Sequence, residues 1–306
     1  MWPDSSSGSG ERGSGRRHGR PGRHPSRRPS RRPSRRRWRL AARYTLLTIG
    51  ALVVLAPLYL TVVSSLLPPS ALAERPPPLF PLDPQWHDYA VAWSQGDLGV
   101  YLRNSAIQTA IIVCGQLVTS VLAGYAFAFL RFPFKRALFV VFLATLMIPF
   151  EVTLVTNTQT ISELGWYNTF AGLTVPFLAT GVGTFLLRQA FLQIPRDLQE
   201  AATLDGYGRL RFLLRIALPL ARPALAALGV FSFLAAWNQY LWPLVVTGSG
   251  NGVRSVQIGL KLLQGTEVSR TDVALAGTVI AVLPLLVLLV VFQKQLVRSL
   301  TAGAVK

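Results

Sequence analysis

The chain is poor in the residues that do chemistry: 306 residues hold only 3 histidines, 1 cysteine and 13 acidic side chains. His18 and His24 stand in a basic, proline-rich stretch, and His87 stands alone beside Trp86 and Tyr89. No metal-ligand set and no catalytic triad can be assembled from them. A glycine-rich loop ending in Gly-Lys-Ser/Thr is also missing, so the chain has no nucleotide-phosphate cradle of its own. The run Gly248-Ser249-Gly250-Asn251-Gly252 reads as a flexible turn instead. Cys114 falls inside an apolar run, where a lone thiol packs as a small apolar group and carries no disulfide pattern. An enzyme, or a chain that binds its own cofactor, is not expected from this inventory.

What the chain has instead is apolar length. Hydrophobic residues make up 51% and charged residues 14%, and the apolar ones fall in long blocks. Crossing hydrocarbon as a helix takes about 20 such residues. Segments at roughly 42–67, 105–130, 137–155, 169–187, 223–246 and 273–292 qualify. Lipid offers no partner for backbone amides, so each segment must be helical. The expected fold is an all-α membrane protein, with residues 41–306 as one domain of six transmembrane helices. The first apolar run is too long for a signal peptide, and no small-residue cleavage site follows it.

Residues 1–40 are a different material. Of the 31 Lys and Arg, 14 lie between Arg12 and Arg43, giving residues 1–43 12 of the 18 net positive charges once Asp4 and Glu11 are subtracted. A short repeat, Ser26-Arg27-Arg28-Pro29 and its two successors, lacks apolar periodicity, so this Arg/Pro/Ser-rich arm is expected to be disordered. Three roles stay open: a solvated topology determinant, a clamp on anionic lipid headgroups, or a nucleic-acid tether. Nucleic acid is the weakest of the three, because no folded base-reading module accompanies the arm. An adaptor anchored in the membrane and working through this arm is the alternative to any function in the helices. The only methionine after Met1 is Met147, so a native start near Leu40 would leave no trace.

Lys and Arg also orient the helices. The arm and the connections with Arg131, Lys135 and Arg136, with Arg188 to Arg222, and with Lys294, Arg298 and Lys306 are basic. The alternate loops hold only Arg75, Arg103, Arg254, Lys261 and Arg270. Both termini and the 188–222 loop are therefore expected in the cytoplasm, with the chain multi-pass in the plasma membrane.

That loop carries the densest pattern in the chain: Glu200-Ala201-Ala202, then Asp205-Gly206, then Ile216, Leu218 and Pro219. From residue types alone, Leu192 to Leu204 predicts an amphipathic helix, Gly206 a tight turn, and Arg209 to Leu218 a second helix broken by Pro219. The spacing resembles the EAA loop of membrane subunits in binding-protein-dependent ABC importers, and Asp205 with Pro223 is similar to the carbohydrate subgroup. Asn104-Ser105, Pro149, Gly165 with Asn168-Thr169, and the tail from Leu300 to Lys306 extend the resemblance over most of 44–306. They are similar to the second permease of the maltose-importer type. Asn238 to Leu244 and Gly172 to Pro176 look like the glycerol-3-phosphate and glycerophosphodiester branch.

The resemblance implies a type I ABC importer transmembrane domain. Its implied partners are a second permease in a heterodimer, a dimer of ATP-binding subunits that hold ATP and Mg, an extracytoplasmic solute-binding protein, and membrane lipid. It further implies that the 188–222 loop is a coupling element held in an ATPase cleft, with Glu200 making a charged hydrogen bond and Gly206 setting the turn. The tail is implied to reach into the ATPase dimer.

Two stretches are candidates for the cargo path. Trp237, Asn238, Gln239, Tyr240 and Trp242 alternate aromatic faces with amides, the pairing that holds sugar C–H faces and hydroxyls. An aromatic belt at the lipid headgroups, with the amides joining neighbouring helices, is the competing reading. Around Pro149, Glu151 is an ionisable group near membrane depth, or a solvated one at the interface, and Thr156, Asn157 and Gln159 offer hydroxyl or amide contacts. For a phosphate-bearing cargo the nearest cation is Arg103.

Overall fold

The computed structural model describes residues 35–94, 96–250, 252–265 and 271–302. Among these, every regular element is helical. The chain divides into two units, Met1–Val53 and Val54–Lys306.

In the first unit the described part is the leading stretch of α1, Arg35–Ser64. The arm reading for 1–34 lies outside the described residues, but 35–40, read as part of the arm, are helical. The helix of the apolar run extends back through Trp38 to Arg35. Leu46, Leu47, Leu52 and Val53 are all more than half exposed, so this stretch presents an apolar face outward.

The second unit begins with the remainder of α1 and two short helices, α2 Pro69–Leu72 and α3 His87–Ser94. Next comes α4, Leu98–Phe129, whose 32 residues span about 48 Å. The order continues with α5 Lys135–Ala144, α6 Phe150–Glu163, α7 Phe170–Thr174, α8 Gly181–Leu192, α9 Arg196–Leu204 and α10 Arg209–Phe212. It closes with α11 Leu218–Leu220, α12 Arg222–Trp237, α13 Leu241–Val246, α14 Val256–Gly265 and α15 Thr271–Ala302. Residues 303–306 of the tail lie outside the described residues.

Among the described residues, three helices are long and apolar enough to cross a membrane unbroken: α1 from Leu40, α4, and α15 as far as Lys294. Three bent helix pairs, at 97°, 44° and 79°, pass the same test of length and composition and bring the number of crossings to six if each pair is one span. The bends correct the straight spans expected from composition. Segment 137–155 is α5 plus a 3₁₀ turn and then α6, turned by 97°. Pro149 forces Ile148 out of the helical region, to ψ 115, and caps α6. Segment 169–187 is α7 with the 3₁₀ turn Val175–Phe177, then α8 at 44°.

Segment 223–246 stops at Trp237, where the Asn238 side-chain amide donates to Leu234 O at 2.9 Å. The helix restarts at Leu241, which puts Pro243 in a first turn, where no N–H is needed. The single amphipathic helix expected over Leu192–Leu204 is divided by Pro195 into α8 and α9. Pro219 does not break its helix: the π segment Leu213–Ala217 shifts the register ahead of it. The 79° bend comes after Leu220, before Pro223 in the first turn of α12.

α4 is the packing axis. Without a hydrophobic drive between helices in lipid, close approach depends on small residues and interhelical hydrogen bonds. A Cβ on Gly124 would lie 3.0 Å from Arg188 N, and one on Gly183 would meet Ser120 Oγ, so α4 and α8 nearly touch backbone to backbone. A buried polar ladder runs down the same helix. Asn104 Nδ2 donates to Gly252 O and Arg254 O at 3.2 and 3.1 Å, and Ser105 Oγ accepts from Val256 N at 2.8 Å. Gln116 Nε2 donates to Phe177 O at 2.9 Å while accepting from Ser232 Oγ, and Thr119 Oγ1 donates to Leu178 O at 2.7 Å.

Candidate functional site

The patterned loop folds into a knob whose motif residues divide between anchoring and presentation. Asp197 sits in the first turn of α9, where a carboxylate complements the helix dipole. Ala202 is 4% exposed, packed in a cluster with Phe191, Ile194, Phe212, Leu213 and Ala217. Tyr125, Phe129, Phe191 and Phe212 form an aromatic box beneath it, with ring centroids 5.2 to 6.4 Å apart. Gly206 takes φ +77. Its N–H donates to Thr203 O at 3.1 Å and Tyr207 N–H to Ala202 O at 2.8 Å. That pair of bonds is the Schellman closure of a helix, and its left-handed position favours glycine. Tyr125 Oη then donates to Arg209 O at 3.1 Å, fixing the start of α10.

The outward side carries the rest. Glu200, Ala201, Thr203, Leu204 and Asp205 are exposed, with Leu204 at 89%. Ile216, Leu218 and Pro219 are half-buried at the root. A carboxylate, a bare leucine and a small alanine are thus presented on a glycine-closed turn.

At the far end of α12 the structure gathers some of the cargo candidates and separates others. Asn238, Gln239, Tyr240 and Trp242 line a hollow of about 370 Å³ together with Phe150 and Phe177. Gln239 Oε1 accepts from Gln108 Nε2 at 2.8 Å, and Gln257 Nε2 reaches Asn238 Oδ1 at 3.4 Å. Trp242 is 1% exposed; its indole N–H donates to Gly172 O at 3.1 Å and its ring stands edge-on to Phe150 and Phe177. Replacing Trp242 by Phe removes that donor and strands a buried carbonyl, a loss of about 1–3 kcal/mol that a lowered thermal midpoint of the purified protein would register.

Trp237 lies outside this lining: it is 3% exposed, stacked on Phe233 at 5.6 Å, with its N–H on Ala281 O. Glu151, Thr156, Asn157 and Gln159 also stay outside, along α6, with only Asn157 half-buried. Arg103 is exposed on α4. Among the described residues no group of three or more His, Cys, Asp or Glu could hold a metal ion.

Gln108 and Gln116 escaped the reading of the sequence. The recurrence of polar residues at Asn104, Gln108, Gln116 and Ser120, in steps of four or eight through an apolar span, was the available signal.

Comparisons agree with this geometry. Residues 117–302 match the family described as binding-protein-dependent transport system inner membrane component. The chain is 34% identical over 265 residues to the sn-glycerol-3-phosphate transport system permease protein UgpE of Yersinia pestis, covering 84% of this chain and 94% of that one. It is 36% identical over 266 residues to UgpE of Rhizobium meliloti, with the same coverage of 84% and 94%. A chain of a bacterial ABC transporter involved in import of the acidic polysaccharide alginate superposes with a TM-score of 0.74 at 21% identity, covering 85% of this chain and 97% of its own. With the glycine-closed knob and the bent helix pairs in place, this chain belongs to the inner-membrane components of binding-protein-dependent transport systems.

Proposed function

We propose that this permease subunit carries a small polyhydroxylated solute, either an sn-glycerol-3-phosphate-type polyol phosphate or a sugar, into the cytoplasm by alternating access. The observation that carries the reading is the rigid knob presenting Glu200 and Leu204 beside a bundle of membrane-length helices. ATP is hydrolysed in a separate subunit, whose dimer receives one knob from this chain and one from a second permease. A solute-binding protein delivers the cargo on the opposite face. The excess of Lys and Arg in the loops on the knob side supports cytoplasmic termini.

The glycerol-3-phosphate systems named among the relatives favour the phosphate-bearing cargo. This chain's hollow is lined by two amides, a phenol and apolar side chains, with no Lys or Arg in its lining. Such a lining suits hydroxyls and C–H faces, so the phosphate is assigned to the second permease or to the binding protein. During the cycle, closure of the ATPase dimer moves the knobs, and the permeases swing around the cavity between them.

The test is ATPase activity of the assembled complex in nanodiscs with its binding protein, titrated with glycerol-3-phosphate, glycerophosphocholine, maltose and trehalose. Stimulation by one ligand class is expected, with Gln239→Leu raising the half-maximal concentration about fivefold or more through a lost polar contact. Stimulation by none of these ligands overturns the cargo assignment.

A further inference from the structure

Gln239 stands in the break between α12, which ends at Trp237, and α13, which starts at Leu241. A glutamine free to turn there offers an entering molecule either its oxygen or its N–H pair. Gln108 removes that freedom. It is 1% exposed on α4, and its Nε2 donates to Gln239 Oε1 at 2.8 Å. Gln239 lines the hollow of about 370 Å³ and Gln108 does not, so the contact reaches Gln239 from behind the wall. It takes the oxygen end of the amide and leaves Nε2, which has no hydrogen-bond partner among the described residues, for whatever enters the hollow.

The neighbouring polar groups are committed elsewhere. Asn238 Nδ2 donates to Leu234 O at 2.9 Å while its Oδ1 accepts from Gln257 Nε2 at 3.4 Å, so both ends of that amide are engaged within the protein. The Trp242 indole N–H is held on Gly172 O. Gln239 is thus the one amide of the lining with an unengaged N–H pair. Beside it Phe150, Phe177 and Trp242 form an aromatic triangle, with ring centroids 5.6 to 6.0 Å apart.

We propose, on the reading of this hollow as part of the cargo path, that Gln108 is a positioning residue that makes Gln239 a fixed N–H donor and so selects cargo by an acceptor oxygen. Hydroxyl, ether and phosphoryl oxygens all accept from an amide N–H, whereas an ammonium group, with donors only, finds nothing on Nε2. A rotamer-rich side chain that must be ordered on binding subtracts from affinity, and the bond from Gln108 orders Gln239 beforehand. The competing role for Gln108 is to fasten α4 to the break, which acts on stability alone.

The experiment is a double-mutant cycle on equilibrium binding of tritiated sn-glycerol-3-phosphate and tritiated maltose to the assembled transporter in nanodiscs, without binding protein, by scintillation proximity. For whichever ligand wild type binds, Gln108→Met is expected to raise the dissociation constant about fivefold, as Gln239→Leu does, through the lost polar contact. Adding Gln108→Met to Gln239→Leu is expected to raise it no further, because Gln108 acts through Gln239. Ser105→Ala removes a different bond of α4, the one accepted from Val256 N, and is expected to lower the thermal midpoint without moving the dissociation constant. Should Gln108→Met fail to assemble, Gln108→Asn, one methylene shorter, loses the same contact and gives the same reading. An unchanged dissociation constant in the Gln108 variant, additive losses in the double variant, or an equal loss in Ser105→Ala overturns the role of Gln108 and leaves the cargo path standing. Wild type that binds neither ligand overturns the reading of the hollow, and this role with it.

Discussion

Glu200→Lys is expected to lower ATP-driven uptake on the order of 100-fold while the subunits still co-purify. Glu200 is exposed on α9 and takes no part in the buried cluster that anchors the knob through Ala202, Phe212 and Ala217. Reversing its charge is therefore expected to spare the fold and to act at the proposed docking surface. There, truncating one partner of a buried hydrogen-bonded charge pair costs about 2–5 kcal/mol, and a lysine adds repulsion against the cation it would meet. Uptake by membrane vesicles, together with thermal unfolding of the purified complex, separates the two levels: transport collapses and the unfolding midpoint stays within a degree or two of wild type, as for other surface changes. A Glu200→Lys transporter that assembles and still couples hydrolysis to uptake would remove Glu200 from the coupling role.

The opposite pattern is expected of Gly183→Val, which never touches the knob. A Cβ at position 183 collides with Ser120 Oγ and comes within 2.8 Å of Thr180 Cγ2 and 3.0 Å of Leu228 Cδ1. Valine adds two further methyls in a helix where its rotamers are restricted. Overpacking of this kind costs about 1–3 kcal/mol where neighbours yield. Here α4 and α8 approach through Gly124 and Gly183 together, so little yielding is available. The expected result is loss of folded protein in the membrane and of co-purifying subunits, read by size-exclusion chromatography. Gly229→Val, also on a membrane helix but facing open space, should assemble normally. Equal yields from Gly183→Val and Gly229→Val would refute close packing at the α4–α8 contact.

Apolar length was legible because it is a property of composition, and the helical character of the apolar segments followed from it. The knob was legible for a different reason. Gly206 and the small Ala202 are forced by a closed turn and a crowded anchor, and such demands leave residue-type marks at fixed spacing. The bends were harder to see, because proline announces a broken helix without saying how the backbone recovers. Pro149 turned the chain by 97°, whereas Pro219 was absorbed by a π segment and the turn moved past Leu220. Trp237 and Trp242 occur in one short aromatic run, yet one packs against α15 through Ala281 and the other against Gly172. That separation arises from the break at Asn238–Tyr240, a tertiary event with no periodicity to betray it. Gln108 stayed unread because its partner, Gln239, is 131 positions away.

The ladder on α4 has a mechanical consequence. From Asn104 to Tyr125 the helix rises about 32 Å. Over that length it is pinned at Gly252 and Arg254, at Gln239, at Phe177 and Leu178, and finally at Arg209 beside the knob. A stiff rod fastened at both ends and in the middle transmits displacement without storing it. Were the knob driven as proposed, motion imposed on Arg209 would reach the loop of Gly252 and Arg254 as a translation of α4, and the hollow beside Gln239 would change shape in the same stroke.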